Sequence, residues 1–310
     1  MRIATAFRYE QSINNLQQRQ QDLSTAQAQL TSGKRINAAS DDPTAAARAE
    51  RALASMSRSD ADLRAVQASR NAMTLAESGL GSAIDLMQTA RETIVAAGNG
   101  TYSPTEREAL TAKLREIRKQ LVSVANQSDG GGGYIFGGKG SSAAPFTEDT
   151  STTPASIVFN GTAGEVLAAS SEQVNLTMNG QKIWMEINRD LPGGGTEQFS
   201  IFEALDSTIT DLNAGTNIAN TVSTSLSRMD RALGQFQTAR SQAGEILNRL
   251  DSIESRLADG KLAAQTEKSN AEDLDMLDAI SQFQNKQTGY QAALQSYASV
   301  QKLTLFQYIN

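Results

Sequence analysis

Apolar side chains recur at alternating steps of four and three residues at both ends of this chain. The first stripe lies within residues 5–31, and the second runs from Met276 to Gln301. This spacing places one apolar seam along an α-helix, and a seam needs a partner to cover it. Because the two seams are similar in length, we expect them to pack together and to bring the ends of the chain together.

Glutamine interrupts both seams, for example at Gln20, Gln27 and Gln287. A helix with few buried contacts is marginally stable alone. We therefore predict labile termini in a monomer and burial of both seams against neighbouring copies, with a private hairpin in one chain as the alternative. The residues predicted for this assembly interface are Tyr9, Ile13, Leu16, Leu23, Leu30, Ile280, Phe283, Tyr290, Leu294, Tyr297, Leu303 and Phe306.

Two longer seams predict rod-like helices, from Ala52 to Ile94 and from Val222 to Leu257. Asp41 or Asp42, followed by Pro43, suits the start of the first rod. Gly33 suits the end of the preceding helix, Gly98 the end of the first rod and Gly260 the end of the second.

Two sequences match a capping box, in which Ser and Glu three residues apart bond to each other's backbone. Ser103-Pro104-Thr105-Glu106 predicts the start of a third bundle helix over 104–125. Ser269-Asn270-Ala271-Glu272 predicts the start of the terminal helix.

The helical period is lost between Asp129 and about residue 198. A glycine-rich turn opens this segment, and Asn179-Gly180 lies between two candidate strands at 174–178 and 182–187. Asn-Gly between apolar runs is a strong hairpin signal. We predict a β-rich insert that projects from the helical body.

These patterns predict a mainly α fold: a long coiled-coil-like helical bundle formed by N- and C-terminal segments, with a central β-rich inserted domain. The expected parts are a terminal helix and loop at 1–42, long bundle helices at 43–128, the β-rich insert at 129–198, a long bundle helix at 199–262 and a terminal helix at 263–310.

The composition excludes several classes of protein. Cysteine and histidine are absent, which removes thiol nucleophiles, imidazole metal ligands and histidine triads, although carboxylate pairs remain open. The formal net charge is −6 without any basic run, so nucleic acid is not an expected partner. No apolar run could span a membrane, and the opening residues lack the core of a secretory signal. The chain is expected to stay in the cytosol or to leave by another route.

Two motifs suggest chemistry, and both have a simpler interpretation. Residues 133–139 match seven positions of a phosphate-binding loop, but Gly140 stands where Ser or Thr should bind magnesium, and no strand-to-helix context surrounds it. The acidic residues between 272 and 278 could bind a metal, but carboxylates near a helix start also complement its dipole. We expect no catalytic, cofactor-binding or metal-binding residue.

Three stretches carry a resemblance to a known family. They are LTSGKRINAASDDPTAAARA at 30–49, NQSDGGGGYIFGG at 126–138 and YQAALQSYASVQKLTLFQYIN at 290–310. With the nested order of helices, they make the chain resemble the flagellin superfamily over all but the β insert. The MRIAT opening, the Asp-Asp-Pro turn, the YIFGG segment and the LFQ ending look more like the hook-filament junction proteins of that superfamily than like flagellin.

The resemblance implies a non-enzymatic adaptor of the bacterial flagellum. Such a protein is exported unfolded through the flagellar type III channel, escorted in the cytosol by a small chaperone, and is extracellular once assembled. It would form a homo-oligomeric layer between the first hook-associated protein and the flagellin filament. By the same likeness, the terminal helices would form the inner tube around the channel, and the β insert would face outward.

Three other interpretations remain open from the sequence. The chain could be a minor flagellin, which would polymerise into long filaments. It could be a nucleotide hydrolase that uses Lys139 of the glycine-rich segment. It could also be a cytosolic coiled-coil scaffold, whose deletion would leave motility unchanged.

Overall fold

The computed structural model of the chain is largely helical. It describes the backbone of residues 2–99, 102–151, 155–168, 171–191 and 193–309, and the side chains of these residues apart from 2–6, 8 and 300–309. The helices are α1 (Arg2–Ser32), α2 (Pro43–Ala97), α3 (Pro104–Ala125), α4 (Ile201–Ala214), α5 (Ile218–Glu272) and α6 (Met276–Ile309). The strands are β1 (Phe146–Asp149), β2 (Ser156–Phe159), β3 (Ile187–Asp190) and β4 (Thr196–Phe199), and a π-helix spans Gln181–Met185.

The predicted starts of α2 and α3 are confirmed. The Asp42 carboxylate accepts the backbone N–H of Ala45 at 3.0 Å, and Pro43 is the first residue of α2. Ser103 and Glu106 form the reciprocal capping box in front of α3, each side chain accepting from the other's backbone N–H. Gly33 follows α1 with a φ of +70° and donates to the carbonyl of Gln29. Local sequence therefore fixes these helix ends.

The predicted boundary between α5 and α6 is wrong. Helix α5 continues past Gly260 to Glu272. A glycine inside a helix costs only about 1 kcal/mol relative to alanine, so a single one need not end the helix. Ser269 therefore lies inside α5 and does not cap the terminal helix. Asp275 performs that role, since its carboxylate accepts the backbone N–H groups of Leu277 and Asp278 at 3.0 and 3.2 Å.

The β-rich insert contains two antiparallel strand pairs. Strand β1 pairs with β2 and strand β3 with β4. The hairpin predicted at Asn179-Gly180 is absent, because Gly180 has right-handed helical angles and is the N-cap of the π-helix. A Cβ on Gly180 would lie 2.0 Å from the Phe136 carbonyl oxygen. Glycine is therefore required here because two backbone segments approach closely, and not because the chain turns.

The chain divides into two compact units, and helices α2 and α5 contribute residues to both. The terminal unit comprises Met1–Ser59 and Asp259–Asn310, and the central unit comprises Asp60–Ala258. In the central unit, helices α2 to α5 and the insert enclose a large apolar core. Its single tryptophan, Trp184, stacks on Phe202 with ring centroids 6.1 Å apart and lies against Phe236 at 4.7 Å.

The terminal unit has a much thinner interior. Among its described side chains, the buried apolar residues are Ala26, Ile36, Ala45, Ala49, Ala52, Ala264 and Ala271. Alanine removes little apolar surface from water. The unit is therefore built from close contacts between helix backbones rather than from large interlocking side chains.

Candidate assembly surface

Helices α1 and α6 pack against each other in antiparallel orientation. Tyr9 meets Tyr297, Arg19 lies against Gly289, and Lys34 pairs with Asp273 through a backbone bridge. The residue number on α6 falls steadily as the number on α1 rises, so one register holds along the pair. The predicted meeting of the two ends of the chain is confirmed.

Two tyrosines lie across this pair near its open end. The Tyr297 hydroxyl donates to the Tyr9 hydroxyl at 2.5 Å, and the ring centroids are 5.6 Å apart. This hydrogen bond raises the pKa of the Tyr297 phenol above its ordinary range. The contact links the helices with phenol groups that also face water.

None of the described seam residues predicted for assembly is fully buried in the single chain. Tyr9, Ile280 and Leu294 are 44%, 46% and 42% exposed. The half-buried members are Ile13, Leu16, Leu23, Leu30, Phe283, Tyr290 and Tyr297. The backbones of Leu303 and Phe306 lie in α6, but their side chains lie outside the described residues. Packing of α1 on α6 thus leaves an apolar stripe partly uncovered.

A polar groove of about 610 Å³ runs between α1 and α6. Ser12, Asn15 and Ser296 are among the residues that line it. Within the described part of the chain, the Arg19 guanidinium has no carboxylate partner. This groove therefore presents neutral polar groups together with the charged side chains of Arg19 and Asp22 beside the apolar stripe.

The loop that follows α1 is fastened to the break between α5 and α6. The Arg35 backbone N–H donates to the Glu272 carbonyl at 2.7 Å, and the Leu274 N–H donates to the Gly33 carbonyl at 3.1 Å. The Arg35 guanidinium also donates to the Ala271 carbonyl at 2.8 Å. These bonds close a joint that fixes where α1 and α6 leave the rest of the terminal unit.

Charge reinforces this joint. Lys268 and Lys34 lie 2.9 and 3.3 Å from the same Glu272 carboxylate oxygen. The hydrogen bond from Lys268, followed by that from Lys34, holds the pKa of Glu272 below its ordinary range. The sequence suggested Glu272 for a helix start, whereas it ends α5. The neighbouring sequence could not predict the ion pair between Glu272 and Lys34, because the two residues are more than two hundred positions apart.

The glycine-rich segment forms a structural turn. The Asp129 carboxylate accepts the backbone N–H groups of Gly131 and Gly133 at 2.7 and 2.9 Å, so the protein's own anion occupies these donors. Over the residues that the structure describes, no group of acidic side chains could hold a metal ion. No helix within the described ranges has the length and apolarity needed to span a bilayer.

A partly buried charge cluster in the central unit was not predicted. Glu197 on β4 pairs with Arg189 at 2.6 Å and with Arg228, and the Arg228 guanidinium lies over the Phe199 ring at 5.8 Å. Arg228 and then Arg189 lower the pKa of Glu197. The cluster ties the β3–β4 hairpin to α5, which is a structural role.

Comparison with known proteins places the chain in a family. Models of the bacterial flagellin N-terminal and C-terminal helical regions match residues 3–141 and 226–309. The chain is 30% identical to flagellar hook-associated protein 3 of Salmonella typhimurium, over 99% of each chain. It belongs to the flagellar hook-associated protein 3 family.

A solved structure and a flagellin are also similar to parts of the chain. A crystal structure of Xanthomonas campestris FlgL has the same fold, with a TM-score of 0.60 and 21% identity over 71% of this chain and 99% of that one. Polar flagellin C of Vibrio parahaemolyticus is 29% identical over only 45% of this chain and 35% of its own length. The likeness to the hook-associated protein 3 family therefore extends further along the chain than the likeness to this flagellin.

Proposed function

We infer that this chain is a structural subunit of the bacterial flagellum that joins the hook to the flagellin filament. The observation that carries this function is the apolar stripe on α1 and α6, which stays half exposed after the chain has folded. An extended apolar surface with polar borders is typical of a protein-interaction site. Family membership supports the flagellum as the assembly that would cover it.

The partners follow from this position. Copies of the chain form a layer through their terminal helices, with the first hook-associated protein on one side and flagellin on the other. A cytosolic chaperone escorts the unfolded chain to the flagellar export channel, and the assembled protein is extracellular. The chain performs no catalysis and uses no cofactor. A composition without cysteine and histidine supports this part of the proposal.

The experiment that separates this function from that of a minor flagellin is assembly on isolated hooks. We expect purified chain to add a limited layer to hook ends that carry the first hook-associated protein, and then to accept flagellin. Growth of long filaments from the chain alone would support the flagellin alternative instead. Electron microscopy of the hook ends distinguishes the two outcomes.

Leu294→Asp tests the stripe itself. Leu294 is 42% exposed on α6, so a charge there costs the folded monomer little but opposes burial against a neighbour. We expect incorporation into hook ends to be lost while the thermal transition of the central unit stays within about 2 °C of wild type. Leu53→Asp is the matched control, because Leu53 is 43% exposed on α2 outside the stripe and should incorporate normally. A large fall in the thermal transition of Leu294→Asp would contradict an intermolecular role.

A further inference from the structure

The first turns of α6 carry a bulky apolar projection with one acidic flank. Leu277 is 85% exposed, and Ile280, which is 46% exposed, lies one turn further on the same side of the helix. Asp278 follows Leu277 in the sequence and lies on one flank of this pair, where its carboxylate accepts a hydrogen bond from Gln282 of the same helix. Asp278 forms no ion pair with a described side chain. We name Leu277, Ile280 and Asp278 the α6 knob.

The same terminal unit contains a groove with the opposite character. It has a volume of about 460 Å³ and lies between the first turns of α2 and the last third of α5. Its floor consists of small residues and its rim of two arginines, namely Ala52, Gly260, Ala263, Ala264, Arg48 and Arg51. We name it the α2–α5 groove.

Both rim arginines are available for a partner. Arg48 and Arg51 are exposed, and among the described side chains neither lies within ion-pair distance of a carboxylate. Arg51 donates from Nε to the Ala47 carbonyl at 3.1 Å, which holds the side chain along the helix and leaves its terminal nitrogens for other contacts. Glu267 lines the groove from α5, so the two arginines leave its edge with an excess of one positive charge.

We propose that the α6 knob of one copy inserts into the α2–α5 groove of a neighbouring copy. Leu277 would fill the concavity above the small residues, while Asp278 approaches Arg51 on the rim. The proposal rests on the inferred layer-forming function and specifies which surface of one subunit meets which surface of the next.

The occupant is a second copy rather than the chain's own knob. Leu277 is 85% exposed, so it does not lie in the groove of its own chain. Two different surfaces of one chain that fit each other form a head-to-tail contact, and repetition of such a contact generates a ring or a helical array. A junction layer needs this type of contact, whereas a self-complementary contact would stop at a dimer.

Site-directed cross-linking tests the contact, because the natural chain contains no cysteine. Ser55→Cys places a thiol in the groove, and Ser281→Cys places one beside Leu277 on the next turn of the same face, where Ser281 is exposed. Mixed under oxidation at high protein concentration without hooks, these full-length variants should form a disulfide-linked dimer. Leu53→Cys is the matched control, since it is exposed on α2 but does not line the groove. A cross-link of Ser281→Cys to Leu53→Cys as strong as that to Ser55→Cys, or none to either, would overturn the proposal.

Two substitutions supply a second measurement. Leu277→Ala should lower the yield of the Ser55→Cys to Ser281→Cys cross-link by at least about ten-fold, because the buried side chain is lost from the contact. Arg51→Glu should lower it about three-fold at low salt, and Asp278→Arg in the partner should restore it. Failure of this charge exchange together with no effect of Leu277→Ala would refute the contact.

Hook incorporation is measured separately in the uncross-linked wild type. Incorporation without the predicted cross-link would overturn the contact and leave the junction function in place. A cross-link without incorporation would support the contact and overturn the junction function.

Discussion

At the scale of single residues, the loop after α1 is held by charge. Asp41 accepts the backbone N–H groups of Asn37 and Ala38 at 3.0 and 2.9 Å, and Asp42 caps α2 while pairing with Arg35 at 3.2 Å. Each of these carboxylates accepts hydrogen bonds that are stronger when the carboxylate is ionised. Ile36, which lies next to Arg35 in the sequence, is buried and secures the loop from within.

The pH dependence of this loop follows from its carboxylates. The backbone N–H of Ala45, the Thr44 hydroxyl and Arg35 lower the pKa of Asp42 from 3.8 to about 2. A lowered pKa means that the stabilisation is complete above the unfolded value and is lost as pH falls through the folded value. We expect Asp42→Asn to unfold at a lower temperature than wild type at pH 6, with the difference disappearing between about pH 4 and pH 2. Calorimetry of both proteins over this range checks it, and a constant difference would argue against an ionised cap.

At the scale of elements, the insert sends one segment back onto the long helices. Residues 166–168 and 171–176, which we name the strap, bond to each other from Ala168 N–H to the Val174 carbonyl and from Leu176 N–H to the Val166 carbonyl, both at 2.8 Å. Val174 is buried in a small core with Val66, Leu250 and Ile253. The strap is thereby anchored to α2 and α5 within the central unit.

Polar bonds flank this anchor on both helices. The Ser69 hydroxyl donates to the Asn175 carbonyl at 2.5 Å on the α2 side, and Arg249 donates to the Gln173 carbonyl at 2.8 Å on the α5 side. Because these backbone carbonyls accept hydrogen bonds from side chains of α2 and α5, the strap is held at one position along both helices. We infer that the strap keeps α2 and α5 together at this level.

Val174→Asp should release the strap. A carboxylate cannot stay ionised in that apolar core without a partner, so the segment is expected to detach rather than bury the charge. Burial of a valine side chain contributes about 1.5–3 kcal/mol, so proteolytic cleavage within the strap should be faster by about ten-fold or more. Leu167→Asp, at a site that is 46% exposed on the same strap, should cleave at nearly the wild-type rate. Equal cleavage of the two variants would show that Val174 does not anchor the segment.

At the scale of the whole molecule, the two units differ in what holds them together. The central unit encloses large side chains such as Trp184, Phe136 and Met87, whereas the buried apolar residues described in the terminal unit are alanines and one isoleucine. Stability within a protein follows local burial, and helices with few buried contacts open most readily. The monomer should therefore be least stable where the assembly surface lies.

Hydrogen exchange measures this difference. In the monomer, we expect the amides of residues 9–30 of α1 and 277–299 of α6 to exchange at least about ten-fold faster than those of residues 73–94 of α2, which face the central core. Addition of the chain to hook ends should slow exchange in α1 and α6 selectively, since neighbours would cover their stripe. Termini in the free monomer that are as protected as the 73–94 segment would count against the proposed assembly surface.

Sequence alone predicted the features that depend on neighbouring residues. The caps at Asp42 and Ser103 and the glycine end at Gly33 are short-range arrangements of a few backbone groups, so the residue types identify them. The α1–α6 pairing was also predicted, because the four-three alternation of apolar residues persists over many turns at both ends. The resemblance at 30–49 and 290–310 indicated the family without reference to the fold.

Tertiary structure decided what depends on distant residues. At Asn179-Gly180 the local signal for a hairpin was overridden, because burial of Trp184 and the approach of Gly180 to the Phe136 carbonyl favour a π-helix. The joint between Arg35 and the α5–α6 break, the Glu197 cluster and the strap join residues far apart in the chain, and no periodicity marks such pairs. The same holds for the α6 knob and the α2–α5 groove, because the exposure of Leu277 and the concavity over Ala263 exist only once the helices are packed.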